Sequence, residues 1–552
     1  MKRRLLAAVL AVALLLSLTA CGGKKATTVT PAEPVEEVPP SAAELAMGAF
    51  LSQYDGAEET EAEAALLDTS VSLTAGSAAS LLETLAATEV VYPYGDITRL
   101  QESYDRYLAM AEALPWTDSK DYGGLSRLPL QDGELLEIVK ANNEALLAES
   151  GIENATRSLL DDDYLEWICQ VLTEVFNREL TEWDFGTQMD SIDWTIANLT
   201  IIRDTTSFSN AAVQRGAIMK VNKAATDGMA GISGSEMGPS MTIAHEGEHL
   251  LQSMALPTQE TLGLAQGFGF CYSWEELPVN ALYTGWFVEA SAERLAAYFY
   301  DTEPGTYASM ISYLDSLTAI AALTGVEPIT VPRLSQQGTL EAVFGLFGRE
   351  TEAEQLEFLD LLYAIQVIQQ VPDDFWEVCA AQTGLSKENE DDLIEVQRNL
   401  KTAACLTMSR MFYENLTRLL TESTLTLREL FYIIYSWEFD LNKHLGYDDE
   451  TRLNTTVPFL EGYPPMQAAF FAALAESTDV DAETLTGLYN AAHVCAHVPK
   501  TSMLHGDEIW DAADIAPFSC AVNDFWDGYY QSVSQKKTVP VAVAAEILRD
   551  AS

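Results

Sequence analysis

The feature that most constrains this chain is the pentapeptide His245-Glu246-Gly247-Glu248-His249, which matches the pattern H-E-x-x-H. Residues four apart lie on the same face of an α-helix, so a helix here directs both imidazoles towards one point. Two imidazoles that converge in this way can bind one metal ion. The spacing therefore predicts a helix through this segment and a metal site on it, with His245 and His249 as ligands.

The residues before the pentapeptide are typical of strands. Residues 195–202 and 216–221 are short β-branched or apolar runs, and glycine-rich turns follow them. Pro239 and Ser240 then open a helix, which apolar residues continue until Pro257. We therefore expect a small β-sheet beside the helix that carries the histidines.

Glu246 follows the first histidine, which brings its carboxylate to the open coordination position of the metal, where a water molecule binds. In zinc hydrolases of this pattern the metal activates the water and the glutamate takes its proton. We therefore expect Zn²⁺ as the cofactor and Glu246 as the catalytic general base.

A catalytic zinc site has three protein ligands, so a third must come from elsewhere in the chain. Residues 284–300 read TGWFVEASAERLAAYFY, a helical pattern with Glu289 and Glu293 one turn apart on one face. The interval after His249 is long enough for a loop and a return to an antiparallel position. On spacing alone, either carboxylate can be the third ligand.

These two motifs together resemble the gluzincins, a group of zincin metallopeptidases. In that group the third ligand is a glutamate of a second helix, and the segment Trp286 to Ala290 is similar to the one that carries it, which implies Glu289 as a metal ligand. In thermolysin-like members an acid four residues later hydrogen-bonds a ligating histidine, which implies that Glu293 orients His245 or His249 in this way. The reverse assignment, with Glu293 as the ligand, stays open because both acids share one face.

The resemblance covers about residues 245–300, and the chain departs from the family in several places. Val288 stands where the family usually has asparagine, and the G-x-M-E-N loop of one aminopeptidase group and the longer metzincin motif are absent.

Gluzincins also use a histidine or tyrosine to stabilise the oxyanion, and we assign none here. The candidates for that role are His444, Tyr447, His493, His497 and His505.

The N-terminus predicts a lipoprotein signal. Lys2, Arg3 and Arg4 precede a short apolar run, and the sequence Leu-Thr-Ala-Cys that ends at Cys21 resembles the lipobox of bacterial lipoproteins. In that family the cysteine is acylated, which implies Cys21 as the lipid attachment site and the outer face of a bacterial membrane as the location. The following residues, rich in threonine, proline and glutamate, favour an extended tether.

The charge is strongly acidic, with 83 Asp and Glu against 31 Lys and Arg. Such a surface argues against nucleic-acid binding, which requires basic patches.

Elsewhere the chain combines strong helix formers with apolar residues at helical spacing, for example at 58–68, 131–149, 350–370, 389–421 and 467–476.

We therefore expect a mainly α fold, α+β overall, in which a zincin-like catalytic core is flanked by helical regions. The expected divisions are a signal peptide at 1–20, a tether at 21–45, an N-terminal helical region at 46–190, the catalytic core at 191–302 and a C-terminal helical domain at 303–552. The expected function is a membrane-anchored zinc peptidase acting on a peptide or protein substrate. Two alternatives are a non-catalytic surface lipoprotein with a degenerate metal site and a zinc hydrolase of non-peptide amides.

Overall fold

The structure is a computed structural model, and the predicted mainly α architecture is confirmed. It describes residues 61–92, 129–150, 157–183, 189–204, 211–214, 218–221, 238–257, 262–266, 285–300, 304, 307–336, 340–369, 389–445 and 462–497. Cys21, the signal and the tether lie outside these residues. Among the helices described, none has the length and apolar character that a membrane span requires.

Helices make up most of the described chain. Those before the pentapeptide are α1 (Glu61–Leu67), α2 (Ala75–Ala86), α3 (Glu134–Ser150), α4 (Asp162–Glu182) and α5 (Met189–Ala197). The pentapeptide lies in α6 (Gly238–Leu251). The later ones are α7 (Gly285–Tyr300), α8 (Ala308–Ala322), α9 (Thr330–Arg333) with a 3₁₀ turn (Leu334–Gln336), α10 (Leu340–Leu346), α11 (Glu352–Gln369), α12 (Glu390–Glu422), α13 (Leu427–Leu445), α14 (Tyr463–Glu476) and α15 (Ala482–His497).

The strands form three small sheets. They are β1 (Ser70–Val71), β2 (Arg157–Ser158), β3 (Thr200–Asp204), β4 (Ala211–Gln214), β5 (Ile218–Val221), β6 (Ser253–Pro257), β7 (Leu262–Gln266) and β8 (Leu425–Thr426). The largest sheet has the order β2-β3-β5-β4, in which β3 and β5 are parallel and the two outer strands are antiparallel to their neighbours. The outer strand β4 lies beside α6, so a sheet does flank the helix with the two histidines.

Two sequence expectations about these elements were wrong. Residues 195–197 belong to α5, and the strand starts only at Thr200, although Thr195 and Ile196 favour a strand. Both residues are buried, so packing in the helix outweighs their intrinsic preference. Helix α6 ends at Leu251 rather than at Pro257, because Ser253–Pro257 pairs with Leu262–Gln266 as an antiparallel hairpin.

Helix α6 packs between α4 and α7. Its apolar side, with Ile243, Ala244 and Leu250, is buried in a cluster shared with α4 and the β3-β5 pair. Gly247 allows a close approach, since a Cβ atom there would lie 3.0 Å from Leu172 Cδ2. The middle of the pentapeptide therefore lies close to α4, and a side chain at this position would require Leu172 to move.

A second hydrophobic cluster joins the later helices to the first described segment. Its members come from α7, α8, α11, α12, α13 and α14, and also from residues 67–92. Trp286 at the start of α7 is fully buried in it, and its indole Nε1 donates to Leu362 O at 2.9 Å. The domain boundaries stay predictions, and the described part of residues 46–190 contributes to both clusters.

Candidate metal centre

His245 and His249 project from α6 towards α7, where Glu289 meets them. The two Nε2 atoms are 3.0 Å apart, and Glu289 Oε2 lies 3.3 Å from each. Their rings stand almost perpendicular, at 89°. In the described part of the chain, these three side chains can hold a metal ion, because their donor atoms all lie within 4.8 Å of one another.

Glu293 contacts His245 at the ring nitrogen that does not face Glu289. Its Oε2 lies 3.1 Å from His245 Nδ1, whereas Glu289 faces the Nε2 atoms of both rings. A metal ion at the Nε2 side is within reach of Glu289, and Glu293 is left to orient the ring. The geometry therefore favours the assignment with Glu289 as ligand over the reverse one.

The carboxylates around His245 keep a proton on its ring. Burial of the His245 ring lowers its pKa, but hydrogen bonds with Glu289 and Glu293 and the charge of Glu246 outweigh this and raise the pKa to about 10. For Glu289, burial opposes ionisation, yet the two histidines lower the pKa of its carboxyl group well below the ordinary value. The metal-free site is thus an imidazolium held between carboxylates.

Glu246 is buried close to these groups. It is 6% exposed, and its charge raises the pKa values of both His245 and Tyr307. The predicted general base therefore lies on the same side of α6 as the ligand set.

The sequence patterns did not indicate Tyr307, whose ring lies against that of His245. Its ring stacks on His245 with centroids 5.6 Å apart and planes 11° from parallel. Its hydroxyl hydrogen-bonds the Glu289 carboxylate, and burial together with the charge of Glu289 raises the pKa of the phenol, which stays protonated at neutral pH. Tyr307 is 40% exposed and has φ 56°, a left-handed conformation rare in tyrosine.

Sequence analysis also missed Gln252, one turn beyond the second histidine. It is fully buried, and its side chain contacts His249 Nδ1, the main-chain oxygen of Val288 and the hydroxyl of Ser335. The position three residues after His249 was the one available signal, since it shares the histidine's face of the helix.

The fourth residue of the pentapeptide, Glu248, points away from the metal ligands into a buried polar network. Gln336 Nε2 donates to Glu248 Oε2 at 2.8 Å and to Glu179 Oε2 at 3.4 Å, and Arg333 pairs with Glu179 at 3.3 Å. Burial and the nearby charge of Glu179 raise the pKa of Glu248 well above its ordinary value. This network joins the back of α6 to α4 and to the segment 330–336.

Among the five candidates for oxyanion stabilisation, only His444 has a described side chain. It is buried, accepts or donates a 2.7 Å hydrogen bond with Ser316 and stacks on Tyr313. These contacts make it part of the helical core. His493 and His497 lie on α15 without described side chains, and Tyr447 and His505 lie outside the described residues.

Comparison of the chain with protein-family models, with curated proteins and with solved structures gave no match.

Proposed function

We propose that this chain is a zinc-dependent peptidase of the gluzincin type. The observation that carries the proposal is the convergence of His245, His249 and Glu289 on one point. Ligand atoms around a tetrahedral zinc ion, with bonds of about 2.1 Å, lie about 3.4 Å apart. The separations of 3.0 and 3.3 Å fit that arrangement. Two imidazoles and one carboxylate, with the fourth position open, are also a usual donor set of catalytic zinc.

When bound, zinc supplies Lewis acidity, which brings the pKa of a water molecule in the open position close to neutral. Glu246 takes the proton from the attacking water and then delivers it to the leaving amine. Glu293 keeps the ring of His245 in place. Tyr307, whose raised pKa keeps its proton on the hydroxyl, is our candidate for the group that donates to the oxyanion of the substrate.

The edge strand β4 is the proposed substrate-binding strand. Within the described residues it pairs only with β5, and we propose that an extended peptide pairs with its other edge. Because β4 packs beside α6, we propose that a peptide added there lies close to the helix that carries the two histidines. This arrangement of a small sheet and a two-histidine helix supports a zincin-like core and a peptide or protein as substrate.

We place the enzyme on the bacterial cell surface, held to the outer face of the membrane by lipid on Cys21. The support is the lipobox-like sequence that ends at this residue. The substitution Cys21→Ser should abolish incorporation of labelled fatty acid. Incorporation equal to that of the parent would contradict the anchor.

The test of the enzymatic function combines metal content with cleavage of an unbiased peptide library. The purified parent should contain one zinc per chain, and His245→Ala and Glu289→Ala should lose it. Glu246→Gln should keep zinc and lose activity by about 10²–10⁴-fold, the usual contribution of a general base. Glu166→Gln, an exposed position on α4, is the matched control and should retain both.

Each remaining outcome contradicts part of the proposal. A parent without zinc after incubation with the metal favours the non-catalytic lipoprotein. Zinc without peptide cleavage favours hydrolysis of non-peptide amides. Unchanged activity in Glu246→Gln excludes this residue as the base.

A further inference from the structure

We propose that Gln252 is a positioning residue that holds His249 in one tautomer, with the proton on Nδ1 and the lone pair of Nε2 facing the metal. The inference rests on the metal site of the proposed function. It goes further by naming a residue that sets the protonation pattern of one ligand.

The direction of each hydrogen bond follows from groups that can only accept. The carbonyl oxygen of Pro332 accepts the hydroxyl proton of Ser335 at 2.7 Å. Because its one proton is used there, the Ser335 oxygen must accept from Gln252, whose Nε2 lies 2.7 Å away. Gln252 Nε2 also donates to the carbonyl oxygen of Val288 at 3.1 Å.

Both amide protons are thereby assigned, and the other end of the side chain must be the carbonyl oxygen. This atom, Gln252 Oε1, lies 2.7 Å from His249 Nδ1. An amide oxygen cannot donate, so the proton between the two atoms belongs to Nδ1. The neutral ring then carries its lone pair on Nε2, which is the atom 3.3 Å from Glu289.

A glutamine meets these requirements better than a carboxylate would. A glutamate here could accept from His249, but it could not donate to Val288 O while ionised, and it would add an anion at a fully buried position. The amide also links three elements. It joins α6 to the main chain of α7 next to Glu289 and to the 3₁₀ turn at Ser335, so one side chain fixes both the tautomer and the separation of the ligand helices.

The first measurement is the tautomer of His249 in the metal-free protein, read by NMR of the full chain with ¹³C,¹⁵N-labelled histidine. The signal is assigned by its loss in His249→Ala. We expect the Nδ1–H tautomer in the parent. The Nε2–H tautomer would overturn the proposal, and this result does not depend on any activity.

The second measurement is zinc affinity in Gln252→Met, which keeps a similar volume but cannot accept strongly from Nδ1. We expect mixed tautomers and a zinc Kd about 10–100-fold higher than in the parent, the usual effect of removing such a partner. Gln366→Met is the matched control, because Gln366 is also buried and accepts from the Trp286 N–H of α7, and in the described part of the chain it makes no hydrogen bond with His245, His249 or Glu289.

A tautomer and a zinc Kd in Gln252→Met equal to those of Gln366→Met would overturn the positioning role. Should Gln252→Met fail to fold, the tautomer of His249 in the parent still tests the proposal, because the Nε2–H form overturns it. If the parent binds no zinc, the proposed function fails, whereas the tautomer in the metal-free chain still decides the direction of the hydrogen bonds.

Discussion

In the metal-free protein, His245 should stay protonated far above the pH at which ordinary histidines lose their charge. Burial lowers the pKa of the ring, but the hydrogen bonds with Glu289 and Glu293 and the charge of Glu246 raise it to about 10, from 6.5. The difference of about 3.5 pH units corresponds to about 5 kcal/mol in favour of the imidazolium in the folded chain.

The sign of the effect on stability follows from the raised pKa of a base. The stabilisation of the metal-free fold is complete below pH 6.5 and is lost as the pH rises towards 10. At pH 7.5 the protonated ring outnumbers the neutral one by about 300 to 1. A metal ion that uses His245 Nε2 must therefore displace this proton, and the apparent affinity should increase about tenfold for each pH unit near neutrality.

The assay is an NMR titration of histidine-labelled, metal-free protein from acidic pH to about pH 10.5, with the His245 signal assigned by His245→Asn. The midpoint should lie several units above 6.5, and Glu293→Gln should lower it because a negative charge next to Nδ1 is removed. Glu166→Gln should leave it unchanged. A midpoint near 6.5 in the parent would refute the reasoning, since the carboxylates would then not outweigh burial.

Two further substitutions test the oxyanion candidate and the helical core. Tyr307→Phe should retain zinc and KM while kcat falls by about 10²–10³-fold, as for the loss of one oxyanion donor, and an unchanged kcat in steady-state assays would exclude that role. Burial raises the pKa of Glu438 to about 7 despite hydrogen bonds from Tyr489, Tyr463 and Gln467, so the unfolded chain loses this proton first as the pH rises. Between pH 4.5 and 7 the free energy of unfolding should therefore fall by about 3 kcal/mol more in the parent than in Glu438→Gln, and parallel denaturation curves would contradict this.

The sequence predicted the two histidines on one helix and Glu289 with Glu293 on another, because both motifs depend on the local periodicity of a helix, whereas the choice of Glu289 came from the resemblance. The observed helices Gly238–Leu251 and Gly285–Tyr300 carry them on facing sides. Tyr307 was not predictable in this way, because its place against His245 depends on a single residue with a positive φ rather than on a repeating pattern.

Gln252 shows a different limit of sequence analysis. Its position on the helix is local, but the direction of its amide is set by Ser335, 83 residues away in sequence. The first part of the strand expected at 195–202 is helical for a related reason, since short β-branched runs fit a buried helix or a buried strand equally well until their neighbours are known.

The contacts between the first and last described segments also determine the order in which the protein can fold. Strand β1 pairs with β8, and the main-chain N–H of Thr74 donates to Ser477 Oγ across 403 residues of sequence. Leu81 and Leu85 of α2 therefore stay exposed until α14, the helix they pack near, is available, and the unfolded chain must keep these apolar side chains from aggregating until then.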